Sequence, residues 1–282
     1  MLWFYLVISS VLLASVSTLL QKVLMKEKES NPYVYALTFQ LVVTGVVSIY
    51  AIWEGFHLPN LIPLLPSIGL MVVLYGFANV VLFKAFQLSD ASEISVISSS
   101  RSLWTILVAV TLLGEMLTAN RIMGVLLITL GIAFVSWKTK RFNLERGHLF
   151  ALLAAIFFGV AFANDTYLLR SFDVPSYTVF AFFLPSVFLI IIKPSAVKKM
   201  KVFFKLDRLL KMLVLAIFYA GAAITIYSSY KVGGQASQIA PISQSSTLVI
   251  VLLAAIFLKE RDNLPKKIVA AIVVFLGVAL LK

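Results

Sequence analysis

The chain has 282 residues, of which 61% are apolar and only 13% charged, and its mean hydropathy is +1.01. Soluble domains carry about a quarter charged residues, so this composition excludes a soluble globular fold and defines an all-α polytopic membrane protein. A formal charge of +12 raises nucleic acid as a partner, while the lack of cysteine excludes disulfides, iron–sulfur clusters and thiolate zinc sites.

A bilayer core about 30 Å thick needs roughly 20 apolar residues per helix, and the chain supplies ten such runs. They fall at 2–25, 31–53, 65–86, 91–112, 120–138, 147–170, 175–193, 209–230, 236–258 and 264–281. The first, MLWFYLVISSVLLASVSTLL, lacks a basic leader and is long enough to span, so it is expected as a helix and not a signal peptide. Turn formers mark many of the gaps: Asn31-Pro32, Pro59 to Pro66, Asp173 to Pro175, Pro194, Gly233-Gly234 and Pro265. Only Gln87 to Asp90 separates the third run from the fourth, which predicts a tight antiparallel hairpin. His57 and His148 lie about 90 residues apart in or beside predicted loops, a pattern of solvated or satisfied histidines, and no cofactor or metal is expected.

The fourth and ninth runs are copies. Ala91 to Glu115, ASEISVISSSRSLWTILVAVTLLGE, aligns without a gap on Ala236 to Glu260, ASQIAPISQSSTLVIVLLAAIFLKE. Further pairs are Tyr75 to Phe86 with Tyr219 to Tyr230, Pro32 with Pro175 and Gly131 with Gly277. Each half, 1–142 and 143–282, therefore holds five helices. An odd number places the second half upside down in the membrane, giving two inverted five-helix repeats with the site expected between them near the midplane.

Basic residues set the orientation. Of 24 Lys and Arg, nineteen fall in or beside loops 1–2, 3–4, 5–6, 7–8 and 9–10; Arg121, Arg170, Lys231 and Lys282 fall on the other side, and Arg101 lies within a helix. The positive-inside rule makes the odd-numbered loops cytoplasmic and places both termini outside the cell membrane. The positive charge is thus topological, and nucleic acid is not expected as a partner. Loop 7–8, SAVKKMKVFFKLDRLLK, interleaves basic and apolar residues and suits either a plain topogenic loop or contact with anionic lipid.

The polar residues inside the spans are the functional candidates. Arg101, ten residues into its helix, lies roughly 15 Å deep; a central arginine costs somewhere between about 3 and 17 kcal/mol and must face protein or a wet cavity. It reads either as a substrate residue or as half of a structural ion pair. Asp165, with Asn164 beside it, lies about 7 Å from that level, within reach of an extended arginine. Its counterpart in helix one is Gln21. Glu93, on the first turn of helix four, pairs with Gln238 in helix nine, so hydrogen-bonding capacity is kept where charge is not. These five are candidates for coupling or gating, with helix-end capping as the competing reading for Asp165 and Glu93. Asn79, Gln244, Trp104 and Tyr227 join Arg101 as candidates for substrate binding, with Trp104, Tyr167 and Tyr227 as a possible aromatic wall. Glu115 and Glu260 end the copied helices at opposite faces, where anchoring the turn to the following helix is the economical role.

Ten helices in five-plus-five repeats, the Ala-Ser starts of helices four and nine, Leu113-Gly114-Glu115, Leu258-Lys259-Glu260 and Phe158-Gly159 together resemble the drug/metabolite transporter superfamily, EamA type. The resemblance covers essentially the whole chain. It implies a secondary transporter, often an exporter, of amino acids, metabolites or drugs, with a central cavity lined by helices from both halves; monomer and homodimer both stay open. Ala14-Ser15 departs from the usual Trp-Gly, and Ser102 and Thr247 stand where relatives commonly carry proline. Helix one has no acidic residue through Met25, unlike small multidrug resistance relatives, which disfavours proton-coupled export of hydrophobic cations. The expected function is alternating-access transport, in the export direction, of a small polar or zwitterionic metabolite such as an amino acid, with a proton as the coupling ion. A lipid-headgroup flippase or a multidrug exporter is the alternative. No nucleophile motif or phosphate-binding loop points to an enzyme.

Overall fold

The computed structural model describes residues 2–25, 31–88, 94, 97–136, 146–257 and 264–281. Among them, every regular element is helical: α1 (Leu2–Met25), α2 (Pro32–Glu54), α3 (Leu65–Leu88), α4 (Arg101–Leu113), α5 (Ala119–Ser136), α6 (Arg146–Leu168), α7 (Val174–Ile192), α8 (Leu206–Lys231), α9 in two segments (Ala236–Gln244 and Ser246–Phe257) and α10 (Leu264–Leu281). A short helix, Ser195–Lys199, and a 3-10 turn, Met200–Phe204, join α7 to α8. Among the described residues, five stretches, Pro32–Glu54, Ile62–Leu88, Arg146–Leu168, Val174–Ile192 and Leu206–Lys231, are long and apolar enough to cross a membrane, and shorter apolar helices accompany them. Large apolar side chains such as Ile52, Trp53, Leu112 and Phe275 stand on the outside of the bundle, as a lipid-facing surface requires.

Local chemistry fixes the helix ends. The Asn31 side chain accepts from the N–H groups of Tyr33 (3.0 Å) and Val34 (3.4 Å) ahead of Pro32, and Asp173 accepts from Ser176 (2.7 Å) ahead of Pro175. The second helix of each half thus starts with a side-chain cap and a proline that needs no N–H partner. Gly114, at φ 70°, closes α4 in the left-handed conformation that glycine adopts without a steric penalty.

The halves are related by a pseudo-two-fold axis. α1 packs on α8 as α6 packs on α3, α4 on α6 as α9 on α1, while α2 meets α7 and α5 meets α10. Exchanging each helix for its counterpart in the other half maps these main contacts onto one another. Small residues let α5 and α10 cross at close range. A Cβ added to Gly277 would lie 2.8 Å from the Gly124 carbonyl, and one added to Gly131 would lie 3.2 Å from the Ala270 carbonyl. The offset that pairs Gly131 with Gly277 also pairs Gly124 with Ala270, so these two contacts are images of each other.

Helices four and nine are not the continuous rods expected from their length and apolarity. Both break, and at paired serines. The Ser100 N–H bonds the Ile97 carbonyl (3.1 Å) and its hydroxyl donates to the same oxygen (2.7 Å); Ser245 repeats this with Ile242 at 3.0 and 2.6 Å. A serine hydroxyl that satisfies the i−3 carbonyl allows a tightened turn within the bilayer, where no water is present to do so. Pro241, inside the first segment of α9, removes one further helical N–H.

The glycine crossing makes a sharp test. Gly277→Val should cost about 1–3 kcal/mol through overpacking, visible as a lower melting temperature of the purified protein. Gly45→Ala, on α2 with nothing within 4 Å of its Cβ, should leave it within a degree or two.

Candidate functional site

A cavity of about 200 Å³ lies between the repeats. α1 contributes Ser10, Ala14, Thr18 and Gln21; α3 contributes Tyr75, Asn79, Phe83 and Phe86; α8 contributes Tyr219, Tyr227 and Tyr230; α9 contributes Ser243, Gln244 and Thr247; Arg101, Phe162 and Gln40 are also part of the lining. Four of the five candidates for substrate binding therefore meet here: Arg101, Asn79, Tyr227 and Gln244. Gln21, a candidate for gating, joins them.

The break at Ser100 puts Arg101 at the mouth of α4. Its backbone is held against α6 because Gly159 has no side chain: a Cβ there would sit 2.7 Å from the Arg101 carbonyl and 2.5 Å from the Trp104 Cβ. The Thr105 hydroxyl donates to the Gly159 carbonyl at 3.0 Å across the same crossing. The guanidinium lies over the Phe162 ring, 5.5 Å from its centroid. With the Gln244 amide turned so that its oxygen faces α4, both Nε and Nη2 of Arg101 donate to it, the latter at 3.1 Å. In the other half, Ser15 occupies the place of Gly159; its hydroxyl donates to the Val11 carbonyl in its own helix (2.6 Å) and lies 3.3 Å from the Ser246 carbonyl, the counterpart of the Arg101 carbonyl. The departure from glycine in helix one thus keeps a polar contact at the same crossing.

Asp165 is fully buried. Tyr75 of α3 donates to Oδ2, and Tyr177 of α7 donates to Oδ1 at 2.5 Å. Tyr227 of α8 packs edge-on against Tyr177, with ring centroids 5.0 Å apart. One carboxyl on α6 therefore joins α3 and α7 directly, and α8 packs on the cluster through Tyr227. The Arg101–Asp165 ion pair that side-chain reach allows is not made. Tyrosine donors occupy both carboxyl oxygens, and Phe162, one turn earlier on α6, takes the guanidinium instead. Among the described residues no carboxylate lies within ion-pair distance of Arg101, and the described lining of the cavity contains neither Asp nor Glu.

Other candidates are placed elsewhere. Trp104 packs behind Gly159 and Tyr167 faces outward, 38% exposed, so of the proposed aromatic wall only Tyr227 reaches the cavity. The Asn164 amide donates to the Ser67 carbonyl (2.9 Å), fastening α6 to the start of α3, and the Gln238 amide donates to the Leu281 carbonyl (2.8 Å) at the end of α10. Glu93 and Glu260 lie outside the described residues. Tyr75, Tyr177, Tyr219 and Tyr230 are site residues that the sequence reading did not single out. The signal lay in their spacing: Tyr75 with Asn79, and Tyr219 with Ala223 and Tyr227, repeat at four residues and mark one face of an apolar helix.

Glu115 does something other than anchor its own turn. Its two oxygens accept from the N–H groups of Ala236 and Ser237, both at 2.9 Å, at the start of α9 in the opposite repeat. A carboxylate at a helix N-terminus satisfies unpaired donors and complements the helix dipole. Beside it, Arg121 donates to the Met116 carbonyl (3.0 Å) and to the Gln235 side chain. Together these bonds clasp the α4–α5 connection to the α8–α9 connection on the face of the even-numbered loops.

Two repeats related by a two-fold, a polar cavity between them and discontinuous helices at that cavity define a membrane transporter of inverted-repeat architecture. The model of the EamA-like transporter family matches residues 1–137 and again 145–282, and the chain belongs to that family. Among solved structures, 29 chains match; one, described as a crystal structure of a protein, aligns with a TM-score of 0.76 at 17% identity, over 99% of this chain and 95% of that one. That likeness concerns the fold. None of the curated proteins compared with the chain matches it.

The tyrosine–carboxyl cluster yields a numerical expectation. Tyr177→Phe should cost about 1–3 kcal/mol, and Asp165→Ala more, since it strands more than one buried hydroxyl. A double-mutant cycle of Arg101→Gln with Asp165→Asn should show coupling below about 0.5 kcal/mol in reversible unfolding. Coupling of several kcal/mol would mean that the two groups form an ion pair.

Proposed function

We propose that this protein is a secondary transporter, working in the export direction, for a small zwitterionic or anionic metabolite such as an amino acid. The observation that carries this reading is Arg101: a guanidinium facing a cavity of about 200 Å³, held by a neutral amide and a ring, with no acid in the described lining. The place of its counter-ion is left to the substrate, whose carboxylate or phosphate would meet the fork in two parallel bonds. The volume suits one small molecule. A lining whose charge is cationic counts against hydrophobic cations, and so against multidrug export.

In this reading Asp165 couples to substrate through Tyr75 and Tyr227, which touch both the carboxyl cluster and the cavity, and a proton is the coupling ion. Gln21, Asp165's counterpart, lines the cavity toward the opposite face. The odd-numbered loops are cytoplasmic and both termini outside. Alternating access then requires the Glu115 clasp to open when the repeats rock.

Thermal stabilisation by a panel of metabolites tests the substrate assignment, since a ligand binding only the folded protein raises its melting temperature. Amino acids or small organic acids should stabilise the wild type and leave Arg101→Gln unmoved. Equal stabilisation of both forms removes Arg101 from the site. The clasp is tested with a single cysteine, because the native chain has none. An impermeant thiol reagent applied from the even-loop side of sealed vesicles should label Ala223→Cys several-fold faster once Glu115→Ala is added. An unchanged rate would show that the seal lies elsewhere.

A further inference from the structure

The connection between α7 and α8 is built as a surface element. Ala196, Met200 and Phe203 are buried at spacings of four and three residues, one helical face turned inward, while Lys198, Lys199, Lys201 and Lys205 are exposed. None of these four lysines has a carboxylate partner among the described residues. Val197 (44% exposed), Phe204 (55%) and Leu206 (73%) stand beside them without an apolar cover. Four unpaired cations interleaved with exposed apolar side chains, at the end of two membrane helices, meet the chemistry of a leaflet rim: phosphate oxygens for the ammonium groups and the upper acyl chain for the apolar ones.

The segment is also fixed to the site. Phe203 packs edge-on against Tyr35, centroids 5.8 Å apart; Tyr35 stacks with Phe39 at 6.4 Å; and Phe39 meets Tyr219 of the cavity edge-on at 4.9 Å. A continuous row of rings runs from the basic surface to the cavity wall.

We propose that residues 195–205 form a docking surface for anionic phospholipid headgroups, seated on the bundle through Met200 and Phe203. Occupation by lipid neutralises the four lysines and holds Phe203 against Tyr35. This assignment stands on the surface itself and is independent of which solute is carried.

The test uses the full chain with a fluorophore on Val197→Cys, in vesicles of three parts phosphatidylcholine to one part phosphatidylglycerol. Bromine-labelled phosphatidylglycerol should quench the fluorophore about threefold or more beyond its share of the bilayer, set by the attraction of each lysine to anionic lipid. Replacing the four lysines with glutamine should bring the ratio to one, and high salt should lower it in the lysine-bearing protein. Equal quenching by brominated phosphatidylglycerol and brominated phosphatidylcholine, each scaled to its share of the bilayer, in the lysine-bearing protein overturns the proposal, as does enrichment that survives the four replacements. Enrichment abolished by millimolar inorganic phosphate at constant ionic strength would instead identify a site for free anions. Because salt and phosphate act on the unreplaced protein, the answer does not depend on how well the four-fold variant folds.

Discussion

Close backbone contact between helices is the constraint on which the rest of this structure depends. Lipid gives apolar side chains no reason to prefer one another, so helices associate where small residues let them approach and dispersion contacts accumulate. Gly124 against Gly277 sets the crossing of α5 and α10, and Gly159 against the Arg101 carbonyl sets that of α4 and α6. The second contact fixes the depth and direction of the guanidinium. A bulkier residue at position 159 would displace the backbone from which Arg101 projects, and with it the charge that defines the cavity.

The two-fold scaffold carries an uneven distribution of charge. Arg101 faces Ser246 across the axis, and Asp165 faces Gln21. Each ion is handled by neutral neighbours of its own: rings and an amide for the arginine, tyrosine hydroxyls for the aspartate. The two side chains are not paired with each other, so the guanidinium stays open to the cavity.

Much of the architecture was legible in the sequence because lipid imposes a simple rule: about 20 apolar residues per span, with basic residues between them. Internal repetition then fixed which helices correspond, and the observed contacts follow that correspondence down to Gly131 and Ala270. The breaks in α4 and α9 were not legible. Serine is compatible with an intact membrane helix, and only the bond from hydroxyl to i−3 carbonyl at Ser100 and Ser245 distinguishes a kink. The partners of Asp165 were hidden for a related reason: Tyr75 and Tyr177 come from two different helices, and a single sequence records spacing within a helix, not convergence between helices. Glu115 was misread as local because its partner is about 120 positions away and consists of main chain, which no side-chain pattern announces.

Glu115 grips peptide N–H groups, and every residue except proline presents the same group. The grip itself asks of positions 236 and 237 only that neither be proline, although both side chains are buried and so are limited by packing, whereas at position 115 it asks for the carboxylate itself. The two halves of the molecule carry unequal mutational burdens at one and the same contact: the donor side is written in the polymer common to all proteins, and the acceptor side in a single carboxylate.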